Sequence, residues 1–360
     1  MNSKTVCVID LIGSYAGMDY YDISFSKELK DLGLKVAILS TFSDESSKPF
    51  LPVMFRKSKL ASILVMIHIY CKLFKYLICN RKSVFVFMSF GEVTDFLFFS
   101  LALLSKNFYV DIHELYAARY QDNSKIKRLY SFFYKHYINK VIYHSEKTDK
   151  LLDEIEYKGV RLFVPHFKYS INRTYDITNV SDDVKNKFIS RGKKFLFFGN
   201  LRQVKGIDIV LEYFEKNEQN DGIELVIAGK NVENINFDGI RDKYGVIDRH
   251  INDDELKYLY SKTDYVLLPY RDSSQSGILE MAFTFRKPML LSDIPYFSAI
   301  VSSYPSFGEM ASLSLYGKLL DDVIKKETKR DYYTINDCNK FMMHDEIEKF
   351  KKDFISSISW

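Results

Sequence analysis

Short apolar runs alternate with amphipathic stretches along almost the whole chain, and no other feature restricts its fold so far. Thr5–Asp10, Lys35–Ser40, Ser83–Met88, Phe108–Ile112, Lys140–His144 and Arg161–Val164 read as buried strands. The series restarts with Lys194–Phe198, Glu224–Ala228, Tyr265–Pro269 and Pro288–Ser292. This βαβα rhythm builds parallel sheets with helices on both faces. At 360 residues the chain is long for one compact core, and a polar stretch from about 168 to 181 interrupts the rhythm. The expected fold is therefore α/β, with two doubly wound Rossmann-like domains facing a central cleft. The first spans residues 1–170 and the second 171–335, and residues 336–360 form a helical segment that packs back on the first. Ligands of such sheets sit at the carboxyl ends of strands, where loops lead into helix N-termini.

Charge is unevenly spread. Residues 1–170 carry 24 Lys/Arg against 17 Asp/Glu, a net of +7, and the remainder has a net of −3. No acidic residue lies between Glu45 and Glu92, a window that holds Lys48, Arg56, Lys57, Lys59, Lys72, Lys75, Arg81 and Lys82. A basic, acid-free stretch rich in Leu, Ile, Phe and Tyr suits an anionic membrane surface, with Arg56, Lys57, Lys59, Lys72 and Lys75 as the contacts. Within it, Ser58–Asn80 is long enough to span a bilayer, yet His68, Lys72 and Lys75 share one helical face. Charge at that depth is costly, so a surface helix is expected. Its apolar side either faces lipid or packs on the sheet. The four cysteines are scattered and none forms a CxxC, which fits reduced thiols in the cytoplasm. Neither a signal peptide ahead of the first strand nor a nucleic-acid partner is expected.

Two segments about seventy residues apart carry the chemistry. In Phe198-Gly199-Asn200-Leu201-Arg202-Gln203-Val204-Lys205-Gly206, a strand turns into a helix through two glycines, and Arg202 and Lys205 project from the turn. An arginine fork with a lysine point charge matches a diphosphate, although alone the pair reads as solvated surface cations. In Asp272-Ser273-Ser274-Gln275-Ser276-Gly277-Ile278-Leu279-Glu280, small residues open a helix, whose free amides and dipole favour an anion. Alone, that is an ordinary serine cap with an acid in the first turn. Together they suit a diphosphate joined to a ribose at Glu280 and a sugar at Asp272, which is the shape of a nucleotide-sugar.

Four elements occur in order: the G-N-x-R-x-x-K-G turn, the strand Leu225-Val226-Ile227-Ala228-Gly229, the segment Asp253-Asp254-Glu255-Leu256, and the loop Pro269-Tyr270-Arg271 leading to Gln275-Ser276-Gly277. In these the C-terminal half resembles the family 4-like GT-B glycosyltransferases (glycosyltransferase group 1), of the kind that build bacterial surface polysaccharide. The resemblance covers residues 160–300 well and the N-terminal half only in pattern. It implies that Arg202 and Lys205 neutralise the donor diphosphate and that Glu280 holds the ribose. Asp272 stands where the family has a longer glutamate that contacts the donor sugar. Ser276, Gly277 and Ile278 would line the donor, and Arg249, His250 and Ile251 would meet the base. On the acceptor side, Gly13 and Ser14 would lie under the phosphates. His113 resembles the cleft histidine that contacts the transferred sugar, and equally reads as a satisfied strand-end histidine. Pro165-His166-Phe167-Lys168-Tyr169 resembles the interdomain linker, with Phe167 in place of glycine.

The implied activity is a retaining, metal-independent transfer of a sugar from a nucleotide-sugar to a lipid-linked glycan. Arg202, Lys205 and the helix dipole would stabilise the leaving diphosphate. His113 and Asp272 would position the sugar, and no protein base is assigned. No cofactor and no metal ligand set is expected, and UDP is the expected donor base only as the commonest. The site of action would be the inner face of the plasma membrane. The alternatives are an epimerase-like sugar-nucleotide enzyme on the same fold and a non-catalytic membrane-associated scaffold. A phosphorylase would need a longer chain and a pyridoxal lysine site.

Overall fold

The computed structural model describes residues 5–358 except 14–16, 43–47, 55–57, 121, 165–168, 189–191, 218–221, 242, 326–330 and 343–344. The chain divides into two compact units, residues 1–170 with 344–360, and residues 171–343.

In the first unit, among the described residues, six parallel strands form a sheet in the order β2-β1-β3-β4-β5-β6. They are β1 Thr5–Ile9, β2 Lys35–Leu39, β3 Val84–Ser89, β4 Phe108–Ile112, β5 Lys140–Tyr143 and β6 Val160–Phe163. β3 and β4 are buried at every residue, as strands covered on both faces must be. The chain reverses its direction of travel between β1 and β3, so the loops after these two strands open a crevice at their carboxyl ends. One face is covered by the helices Lys59–Cys79, Asp95–Phe99 and Ser124–His136, whose Leu73, Phe98, Tyr130 and Tyr134 join one core with Phe85 and Phe87.

The helix Asp345–Ser357 packs on this unit too. Phe350 lies 6.1 Å from Phe25, Phe354 lies 5.1 Å from Tyr109, and Lys351 pairs with Glu28 at 2.7 Å. Lys140, nearly buried, donates to the Ser357 carbonyl at 2.6 Å and so caps the helix end. The two buried phenylalanines each contribute about 1.5–3 kcal/mol to that docking. The break falls later than the expected residue 336. The helix Ile335–Met342 stays with the second unit because Phe341 stacks into it, 4.0 Å from Phe283, and Asp337 accepts the Ser306 amide at 2.8 Å.

The second unit repeats the plan, with the order β12-β11-β10-β7-β8-β9. Its strands are β7 Lys193–Phe198, β8 Ile223–Ala228, β9 Gly245–Ile247, β10 Tyr265–Leu268, β11 Met289–Ser292 and β12 Gly308–Ala311. All neighbours pair in parallel. From β7 the chain builds outward through β8 and β9, then returns to the other side of β7 with β10. The loops after β7 and β10 therefore lie side by side and diverge, which is the ligand-binding crevice of a doubly wound sheet.

Candidate active site

Those two loops are the two segments singled out in the sequence. The loop after β7 is pinned to its neighbours by the amides of Gly199 and Leu201, which donate to the carbonyls of Ala228 and Lys230 at 3.0 and 2.9 Å. A tight turn over Gln203–Lys205 then enters the helix Ile207–Lys216 through Gly206, whose φ is +72°. A Cβ there would sit 1.9 Å from the Pro269 carbonyl oxygen, so glycine is required by both conformation and space. Gly229 is needed for the same reason, since its Cβ would lie 2.0 Å from the Gly199 oxygen.

A feature missed in the sequence holds the loops together. Arg271 forks onto both oxygens of Asp208 at 2.7 and 2.6 Å and also donates to the Gln203 carbonyl. Its own amide donates to Val204 at 2.8 Å. The turn that carries Arg202 and Lys205 is thus fastened to the loop that carries Asp272. The signal was an Asp two residues after the Lys-Gly pair and an Arg after Pro-Tyr, but nothing in either segment alone says that they meet.

Lys205 and Ile278 converge over Gly199. A Cβ on Gly199 would stand 3.0 Å from the Lys205 ammonium and 3.1 Å from the Ile278 methyl. The ammonium also lies 5.6 Å from the Tyr270 ring centre. Burial, and then the Arg202 cation, push the Lys205 pKa down to about 8. Arg202 itself is exposed at the start of the turn.

Ser276 caps the helix Gly277–Thr284, its hydroxyl accepting the Leu279 amide at 3.3 Å. Glu280 lies in the first turn and is only 2% exposed. Its Oε2 has no hydrogen-bond partner among the described residues. Burial pushes its carboxyl well above the usual range. A buried polar oxygen without a partner costs folding free energy and marks a position shaped for something else. Asp272 is exposed on the loop before this helix.

His250 and Ile251 follow β9, the first exposed and the second buried. Arg249 is not free for a donor. Its guanidinium donates to both oxygens of Glu255 at 2.7 and 2.8 Å, to Ser181 at 2.8 Å and to Asp183 at 3.0 Å. Although burial opposes it, this pairing brings the Glu255 carboxyl down to about 2. Arg249 is therefore a bracket between residues 181–183 and the helix Asp253–Lys262, and the expectation that it meets the base is corrected.

In the first unit, Gly13 donates its amide to Asp10 at 2.6 Å, at the carboxyl end of β1. Ser14, and the linker residues His166 and Phe167, lie outside the described residues. His113 follows β4 and is 2% exposed. Burial pushes its imidazole down to about 3, so it is neutral at physiological pH. Asp111, His113 and His144 bring potential metal-binding atoms within 4.8 Å of one another, but Asp111 and His144 already meet in a 2.6 Å hydrogen bond.

The helix Lys59–Cys79 shows two apolar stripes. Ile69, Leu73 and Leu77 pack inward, and Leu60, Ile63, Leu64, Ile67, Phe74 and Ile78 are exposed, Leu60 by 66%. The inward stripe meets the expectation that the helix packs on the first unit, and the other stripe is left exposed. Lys59 and Lys75 are exposed. Lys72 is corrected: it turns inward, donating to the Phe50 carbonyl at 2.6 Å and lying 4.3 Å over that ring. Arg56 and Lys57 lie outside the described residues.

Residues 181–336 match the family Glycosyl transferases group 1. No curated protein sequence matches the chain. Among solved structures, Anabaena HepE in complex with UDP-glucose is 10% identical, with 98% of each chain covered and a TM-score of 0.69. WaaG, a glycosyltransferase involved in lipopolysaccharide biosynthesis, is 14% identical over 99% of this chain and 100% of that one, at 0.67. A glycosyltransferase from Rickettsia africae ESF-5 is 15% identical over 100% and 95%, at 0.62. These likenesses establish the shared two-domain fold. Residues 181–336 thus resemble the Glycosyl transferases group 1, and the fold of the chain is that of the GT-B glycosyltransferases.

Proposed function

We propose that the protein moves a sugar from a nucleotide-sugar donor to a lipid-linked saccharide acceptor, with retention of configuration and without a metal ion. The observation that carries the donor half is Glu280, a buried carboxyl whose Oε2 has no partner among the described residues, in the first turn of a capped helix on the loop neighbouring that of Arg202 and Lys205. A ribose diol supplies the hydroxyl donors that Glu280 lacks. A diphosphate supplies the counter-charge that would return Lys205 to its ordinary range. As the glycosidic bond breaks, charge grows on the leaving diphosphate, which Arg202, Lys205 and the helix amides would stabilise. Two cations at the phosphates do the work of a divalent ion. Asp272 and His113 are read as the residues that position the sugar, and His250 and Ile251 as the base-facing ones. Retention rests on the resemblance to family 4.

The expected pathway is cell-surface polysaccharide synthesis, as O-antigen, capsule or exopolysaccharide. The support is that WaaG takes part in lipopolysaccharide biosynthesis and that the similar WaaB is a lipopolysaccharide outer core galactosyltransferase. HepE binds UDP-glucose, which favours UDP as the donor base here. A lipid-linked acceptor also accounts for the exposed apolar stripe of Lys59–Cys79 between Lys59 and Lys75. The neighbouring basic helix Ser124–His136 likewise exposes Leu129 and Phe132. We place the protein on the inner face of the plasma membrane on these grounds.

A thermal-shift screen with UDP, GDP, ADP and dTDP tests the donor reading. At least one nucleotide should raise Tm, because a ligand that binds only the folded state stabilises it by mass action. No shift with any of the four at millimolar concentration would count against it.

A further inference from the structure

A buried polar group in the first unit stands apart from the residues assigned to the nucleotide. Asp111, wholly buried at the end of β4, accepts from the Tyr21 hydroxyl at 2.8 Å and meets His144 Nε2 at 2.6 Å. The other ring nitrogen of His144 faces the Val164 carbonyl at 3.0 Å, and a carbonyl only accepts, so Nδ1 donates. Both Asp111 oxygens are thereby engaged.

His113, two residues beyond Asp111, is packed by this group. The Tyr21 ring stands edge-on to it at 4.7 Å and 87°, and the His144 ring lies 5.1 Å away. On another side Phe90 stacks on it at 5.0 Å and 15°. The Phe90 loop is itself fixed by Asp95, which accepts from Ser89 Oγ at 2.8 Å and the Phe90 amide at 3.2 Å.

We propose that Tyr21, Asp111 and His144 are positioning residues that hold His113 in one orientation and as a neutral imidazole at the place where the transferred sugar is read to bind. This rests on the reading of His113 given above. The division of labour follows from charge. An Asp111 carboxylate beside His113 favours the imidazolium, whereas burial opposes it. His144, held on that same carboxylate, offsets its pull on His113. The ring then offers a neutral hydrogen bond to a sugar hydroxyl. The other titratable groups around the cluster are Asp10, Asp19, Asp22 and Tyr169 on the Tyr21 side and Asp95 behind Phe90. Asp22 is pushed well above the usual range, by burial first and then by Asp10. Burial raises Asp95 to about 7, so it titrates in the range to be scanned and needs its own control.

The test is nuclear magnetic resonance of the full-length protein carrying 13C,15N-histidine, titrated from pH 5.5 to 8. The His113 signals are assigned by their loss in His113→Gln, and Asp95→Asn serves as the control. In the wild type, His113 should remain one neutral tautomer throughout. In His144→Gln, which removes the imidazole from Asp111 Oδ1, His113 should take up a proton with a midpoint at least one pH unit higher. Tyr21→Phe keeps the ring packing and should shift or double the His113 signals, so it reports even if His144→Gln fails to fold. A wild-type His113 that titrates like an exposed histidine overturns the proposal. So do His113 signals that neither substitution changes. UDP binding reads the second unit separately: Tyr21→Phe and His144→Gln should keep wild-type affinity, and a wild type that binds no nucleotide counts against the donor reading rather than against this one.

Discussion

Glu280 shows how a single residue can lower stability in order to bind. Its folded pKa lies above its unfolded one, so the stability it contributes is fully present below the ordinary carboxylate range. That contribution is lost as pH rises through the folded value. Glu280→Gln should therefore raise the Tm of the nucleotide-free protein at pH 8, by roughly 2–4 °C per kcal/mol regained, and change it little at pH 5. The same variant should bind UDP more weakly. If ribose hydroxyls bring the carboxyl back into its ionised form, wild-type binding releases a proton that Glu280→Gln does not. Calorimetry at one pH in phosphate and in Tris measures the difference, and equal proton counts in the two proteins would sink the ribose assignment. Glu280 was legible in the sequence because its spacing from Asp272 and its place after Ser276-Gly277 are local facts. Its isolation was not, because the groups near enough to feel its charge, Tyr296 and Tyr333, come from other segments of the chain.

At the scale of elements, the strands were readable where they are continuous and apolar, and unreadable where they are short edges. Gly245–Ile247 has three residues and Gly308–Ala311 contains a glutamate, so neither stands out from a loop. Arg249 misled because its position after β9 suits a base-binding role, whereas Ser181, Asp183 and Glu255 come from segments that only the fold brings to it. Arg271 was overlooked for the converse reason. Its ion pair with Asp208 is about 40% exposed and adds little to stability, but it fixes two loops that must act together. Arg271→Ala should leave Tm within about 2 °C and weaken nucleotide binding several-fold, as measured by calorimetry. Gly206→Ala, with a Cβ driven into the Pro269 carbonyl, should cost both stability and binding.

At the scale of the molecule, charge asymmetry and the acid-free window foretold a basic first half, and the fold adds that apolar side chains stand on its outside. The exposed stripe on Lys59–Cys79 predicts binding to vesicles rich in phosphatidylglycerol, seen by flotation and weakened by salt. Leu64→Asp with Ile67→Asp should abolish it. Replacing Lys59 and Lys75 by Gln should weaken it roughly thirtyfold, at about 1 kcal/mol per lysine. Binding indifferent to all four changes would make the stripe merely structural. The central claim, that Arg202 and Lys205 form the diphosphate site of a nucleotide-sugar enzyme, is tested most directly by calorimetry. The titrant is whichever of UDP, GDP, ADP and dTDP binds best, measured against the wild type, Arg202→Ala and Lys205→Ala. Each substitution should weaken binding about ten- to a hundredfold, the equivalent of one charge-assisted hydrogen bond. Wild-type affinity in both variants would contradict it.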